Sequence, residues 1–198
     1  MLIRRDASLL LVVDLQEKLA PAIFEGEGVI GNSVRLLTGA GQLGVPAFIS
    51  EQYVRGLGHS VEAIRVAAAL NDQPDSTTKE TKAGPTVNAK FFEKTHFSCA
   101  AEPGVVDLLR AAKRPQVILT GTEAHVCVLQ TAFGLHAAGF EVFLVADATS
   151  SRTPESRNAA IERMRAGDIH VVTTEMVLFE WLHQAATDDF RALLPLIK

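Results

Sequence analysis

Three residues far apart in the chain have the types that nucleophilic chemistry needs: a carboxylate at Asp14, an amine at Lys94 and a thiol at Cys127. Cys127 is the most informative by position. Gln116 to Thr120 is apolar and β-branched, as a buried parallel strand should be. It runs into the turn Gly121-Thr122-Glu123, and Ala124 to Ala138 then reads as a helix closed by Gly139. A thiol in the first turn of such a helix sits in the field of unpaired N–H groups, which favours thiolate. Most free cysteines are instead small buried hydrophobes, and position alone leaves both readings open.

Asp14 ends the run Leu-Leu-Leu-Val-Val and is followed by Leu-Gln-Glu. It fits an N-cap with Glu17 completing a capping box, or a carboxylate that takes a proton from a thiol and returns it to a leaving group. Lys94 follows Phe91-Phe92-Glu93 at the end of a strand. It is either a solvated strand end or an ammonium that keeps a neighbouring carboxylate and thiol charged. His125 stands two residues before Cys127, a spacing that does not share a helix face, so Asp14 is preferred as the base. The remaining histidines, His59, His96, His136, His170 and His183, have no metal-ligand spacing, and no metal or other cofactor is expected.

The elements that must position these groups alternate. Strands are expected at Ser8 to Val13, Val45 to Ser50, Ala89 to Lys94, Gln116 to Thr120, Glu141 to Ala146 and Ile169 to Thr173. Helical patterns cover Gln16 to Leu43 with a break near Gly26-Glu27-Gly28, then Ser60 to Leu70, Pro103 to Lys113, Ala124 to Ala138, Pro154 to Ala166, Thr174 to Ala186 and Asp188 to Ile197. Asn71 to Asn88 reads as a long loop, a lid or an oligomer contact. Alternating βα units predict an α/β fold in three layers: a doubly wound, Rossmann-like sheet of six parallel strands in the order 3-2-1-4-5-6, as one domain over residues 1–198. In that order the ligand crevice opens between strands one and four, so Asp14 and Cys127 should line one pocket. The segment Glu51-Gln52-Tyr53-Val54-Arg55, after strand two, should hang over the same edge.

Bulk properties agree with an enzyme of small molecules. The chain has 198 residues, 47% hydrophobic and 21% charged, with a net charge of −4. It has no basic stripe of the kind nucleic acid needs and no apolar run long enough to cross a membrane. Two cysteines make no disulfide framework. A strand within about eight residues of Met1 leaves no room for a signal peptide, and a cytoplasmic location is expected. The apolar character of Val177 to Leu182 and Phe190 to Ile197 suggests a homo-oligomer interface or, equally, core.

The runs Val-Val-Asp14-Leu-Gln16, Lys94-Thr-His-Phe-Ser98 and Gly121-Thr-Glu-Ala-His-Val-Cys127-Val-Leu-Gln-Thr131-Ala132 resemble the isochorismatase-like cysteine hydrolase superfamily. Ser50-Glu-Gln-Tyr-Val-Arg-Gly-Leu-Gly58 and Val145-Ala-Asp-Ala-Thr-Ser-Ser-Arg152 resemble its isochorismatase domain-containing subgroup. The resemblance implies a catalytic triad of Asp14, Lys94 and Cys127, a cis peptide at Thr122-Glu123, and an oxyanion hole from the backbone N–H groups of Glu123 and Cys127. Gln16, Glu51, Gln52, Tyr53, Arg55 and His125 are the candidate substrate contacts. Two departures narrow the activity. Metal-dependent nicotinamidases of this superfamily carry Asp-x-His and a further His after strand two, where this chain has Glu51-Gln52-Tyr53. True isochorismatases commonly lack the cysteine, so hydrolysis of a small amide through a thioester is expected. Ether hydrolysis with Asp14 as acid, or a non-catalytic oligomeric binding protein, are the alternatives.

Overall fold

A computed structural model describes residues 1–69 and 89–197. The expected long loop, 71–88, therefore lies outside the described residues. Six parallel strands form one sheet in the order β3-β2-β1-β4-β5-β6: β1 Ser8–Val13, β2 Ala47–Gln52, β3 Lys90–Lys94, β4 Gln116–Gly121, β5 Glu141–Thr149 and β6 His170–Val172. The helices are α1 Gly26–Leu43, α2 Val54–Leu57, α3 Glu62–Ala69, α4 Val105–Arg110, α5 Leu129–Ala137, α6 Pro154–Ala166, α7 Thr174–Leu182 and α8 Asp188–Ile197. The doubly wound order read from the sequence is the one observed.

Every residue of β1 is buried, because helices cover both faces. Leu10 and Val12 pack into one layer with Leu36, Leu37, Val177, Leu178 and Trp181. Leu9, Leu11 and Val13 pack into the other with Leu109, Leu135 and Met164. Several apolar residues of the last two helices thus join this chain's own core: Val177, Leu178, Trp181, Leu182 and Leu193 are buried, while Met176 and Phe179 stay exposed.

Three local departures from the sequence pattern shape the site. Strand β2 runs two residues further than expected, to Gln52, so Glu51 and Gln52 belong to the ladder. Alternation then separates them, since consecutive strand residues face opposite layers. The helix after β4 begins as a π-helical turn, Ala124–Val128, before α5. Finally, no helix starts at Asp14; α1 begins only at Gly26, where the sequence pattern breaks. The N-cap reading of Asp14 is replaced by a left-handed backbone (φ 54°), a conformation that aspartate tolerates better than most residues.

Gly121 is where the fold permits the site to form. Its φ is +136°, and a Cβ there would stand 2.1 Å from the carbonyl oxygen of Val13, its partner on β1. Gly121→Ala is therefore expected to push β4 from β1 and cost at least about 2 kcal/mol of stability, from steric overlap and an unfavourable φ together. A denaturant midpoint equal to that of the parent would contradict this.

Candidate active site

Register brings the carboxyl ends of β3, β2, β1 and β4 to one level. Gln52 pairs with Lys94, Val13 pairs with both Ser50 and Gly121, and Asp14 follows Val13 directly. The Asp14 and Lys94 side chains are both fully buried and meet at 2.8 Å. Buried charges persist only when paired and fully hydrogen bonded. Here they are: Asp14 Oδ1 accepts from Ser50 Oγ at 2.7 Å, and Lys94 Nζ also reaches Gln52 Oε1 at 2.5 Å, the Phe97 carbonyl at 3.1 Å and the His96 carbonyl at 3.3 Å. The Asp14 carbonyl accepts from Thr122 Oγ1 at 2.6 Å, tying β1 to the turn that carries the cysteine.

Cys127 is buried in that turn, close enough to the Asp14 carboxylate to feel its charge. Burial pushes its thiol well above the ordinary range. The Asp14 charge and hydrogen bond push it further, and Lys94 opposes them. Burial and the Asp14 charge thus work against the acidified thiol expected from the turn alone. The thiol is held toward its neutral form, beside a carboxylate of the type that can act as a base. The N–H field of the turn is visible in the local sequence, whereas the burial and the carboxylate come from distant segments.

The turn also corrects the expected peptide geometry. Thr122-Glu123 is trans, and the described residues contain no cis bond. The chain instead reverses through Gly121 and a left-handed Glu123 (φ 55°, ψ 57°). The N–H groups of Ala124, Val126 and Val128 bond to the carbonyls of Ser150 and Glu123. Among the described residues the N–H of Glu123 has no protein acceptor, and that of Cys127 reaches none outside its own turn. The Glu123 N–H thus opens the turn that carries the sulfur.

The candidate substrate contacts divide. Gln16 is buried and committed: its amide takes Gln52 N–H at 2.7 Å and gives to the carbonyls of Gln52 and Gly58 at 3.0 and 2.6 Å. Gln52 faces Lys94. Glu51 faces the opposite way and holds Ser60 N–H at 2.7 Å and His59 Nδ1 at 3.0 Å. Tyr53 and Arg55 are exposed, with Tyr53 N–H bonded to the Lys94 carbonyl at 2.9 Å. His125 turns to Ser151 Oγ at 2.9 Å and lies 3.4 Å from Glu123, which Arg152 also grips at 2.9 Å. Sequence reasoning missed Ser50 and the hydroxyl contact of Thr122. The signal for Ser50 was its same-face spacing with Gln52 on β2.

A second buried thiol lies behind the site. Cys99, in a 3₁₀ turn at Cys99–Ala101, gives its N–H to Thr131 Oγ1 at 2.9 Å. Burial, then the Asp14 charge, pushes its thiol from 9.0 up to about 11. Above pH 9 the unfolded chain has lost a proton that the folded chain still binds, so stability falls as pH rises from about 9 toward 11 and is unaffected below. Cys127 acts in the same direction. Wild type should lose about 1.4 kcal/mol per pH unit more than Cys99→Ala in this window. Urea midpoints at pH 8, 9 and 10 measure it, and parallel curves for the two proteins would refute it.

Comparison with known proteins agrees with this architecture. The family model for the isochorismatase domain matches residues 8–176. Isochorismatase domain-containing protein 2 of Danio rerio is 34% identical over 190 residues, covering 96% of this chain and 86% of its own. The structure of MAR1 ribonuclease from Caenorhabditis elegans superposes with a TM-score of 0.84 at 34% identity, covering 100% of this chain and 92% of that one. The YcaC gene product of Escherichia coli, described as an octameric hydrolase of unknown specificity, shares the fold at a TM-score of 0.84 and 19% identity, covering 99% of this chain and 90% of that one. With a strand order, a sheet-edge site and a sequence match that coincide over most of its length, the chain belongs to the isochorismatase family, in the isochorismatase domain-containing subgroup.

Proposed function

We propose that the protein hydrolyses the C–N bond of a small amide through a thioester on Cys127. The observation that carries this reading is the buried Asp14 carboxylate, which faces the Lys94 ammonium on one side and the Cys127 thiol on the other. As sulfur attacks the carbonyl carbon, its proton passes to Asp14, and the carbonyl electrons move to an oxygen held by the backbone N–H groups of Glu123 and Cys127. Collapse breaks the C–N bond, and Asp14 gives its proton to the departing nitrogen. Water then attacks the thioester with Asp14 as base. The S–C bond breaks, the acid leaves, and the sulfur recovers its proton. Lys94 balances whichever of the two groups is negative. Each proton transfer by a positioned base is typically worth about 10²–10⁴-fold.

Among the described residues no group of three His, Cys, Asp or Glu side chains could hold a metal ion, and this mechanism calls for none. The ammonium is saturated by protein oxygens and the net charge is −4, which favours a small neutral carbonyl over the phosphodiesters of RNA. The octameric assembly of the Escherichia coli relative supports a homo-oligomer here as well. No helix among the described residues is long and apolar enough to cross a membrane. An amide panel read for released acid and amine tests the reading. Turnover of an amide that disappears in Cys127→Ala supports it; full activity of Cys127→Ala on a vinyl ether, with loss in Asp14→Asn, would replace it with ether hydrolysis.

A further inference from the structure

We propose that Gln52 is a positioning residue for Lys94, keeping the ammonium in place during the steps in which Asp14 holds the thiol proton and offers no charge. The inference rests on the mechanism above and adds to it a side chain with no assigned role there.

Lys94 Nζ has three hydrogens and four oxygens in reach, and only Asp14 Oδ2 is charged. When Asp14 takes the proton, the buried ammonium loses that partner, and an unpaired buried charge drifts or discharges. The remaining acceptors are two carbonyls at 3.1 and 3.3 Å and Gln52 Oε1 at 2.5 Å, the shortest and the only side chain. Its aim is fixed. Gln52 Nε2 donates to the Thr95 carbonyl at 2.9 Å, so the amide oxygen must face Lys94. Its backbone is clamped by Gln16 on both sides, and it sits opposite Lys94 in the β2–β3 ladder. A glutamine serving only the fold would satisfy the same neighbours without affecting the sulfur.

The test is alkylation of Cys127 by iodoacetamide at graded pH, located by peptide mass, in wild type and Gln52→Met. Three groups face the sulfur: Asp14 from the end of β1 and Cys99 from its 3₁₀ turn disfavour thiolate, and Lys94 from β3 favours it. If Gln52 holds Lys94 in register, Gln52→Met slows alkylation about tenfold at pH 8 and moves the midpoint upward. It also lowers kcat about tenfold with KM within about twofold. An unchanged alkylation profile, with only the denaturation midpoint lowered, overturns the proposal, as does a rise in KM alone. Should Gln52→Met not fold, Gln52→Asn keeps the amide but falls one methylene short, and the same readings apply. If the alkylation profile shifts while no amide is turned over by wild type, Gln52 keeps its role and the amidase reading fails.

Discussion

Asp14→Asn should abolish turnover, by about 10²–10⁴-fold, while moving the Cys127 thiol toward thiolate. The two effects point in opposite directions, which makes the pair diagnostic. Asp14 disfavours the thiolate both as a nearby charge and as the acceptor of the S–H hydrogen bond. Asparagine removes the charge, and the buried Lys94 ammonium is then left with the sulfur as the only group here able to balance it. Iodoacetamide should therefore label Cys127 faster in the variant at neutral pH. Catalysis is nevertheless lost, because a standing thiolate does not protonate the leaving nitrogen or activate water. Faster labelling with lost turnover assigns Asp14 to proton transfer. Slower labelling with lost turnover would mean that the carboxylate helps form the thiolate, and the proton-relay account would be wrong.

Lys94→Met should be the most destabilising single change in the site. It leaves the Asp14 carboxylate buried with Ser50 as its remaining side-chain donor, apart from the thiol. Breaking one member of a buried pair typically costs about 3–5 kcal/mol. Asp14→Asn combined with Lys94→Met removes both charges, and the double variant should recover part of that loss, since neither group then needs a counter-charge. Denaturant midpoints of the two single variants and the double form the cycle. Strict additivity would show that the two residues do not act as a pair. Turnover should be lost in all three.

Much of this was legible in the sequence because the informative signals were local. A run such as Leu9 to Val13 can only be a strand buried on both faces, and strands alternating with helices leave few topologies. Once the order 3-2-1-4-5-6 is chosen, the sheet edge brings Asp14, Lys94 and the turn of Cys127 together without further information. What the sequence did not convey was set by contacts between distant segments. The two-residue extension of β2 depends on pairing with β3, and it decides that Gln52 faces Lys94 while Glu51 serves Ser60. The state of the thiol depends on the charge of Asp14, 113 positions away in the chain. The turn that leads to Cys127 leaves the sheet at Gly121, which lies too close to Val13 on a neighbouring strand to carry a side chain. The capping-box pattern at Asp14 and Glu17 was a local signal that tertiary pairing overrode, because the carboxylate gains more from a buried ammonium than from a helix end.

The most direct test is acid quenching of the wild-type protein within its first turnovers on a cleavable amide, followed by intact-mass analysis. The account predicts an adduct equal in mass to the acyl group, mapped to Cys127, that accumulates in proportion to amine released and is absent in Cys127→Ala. Amine release with no acyl mass on sulfur at any time, and with undiminished turnover in Cys127→Ala, would contradict it.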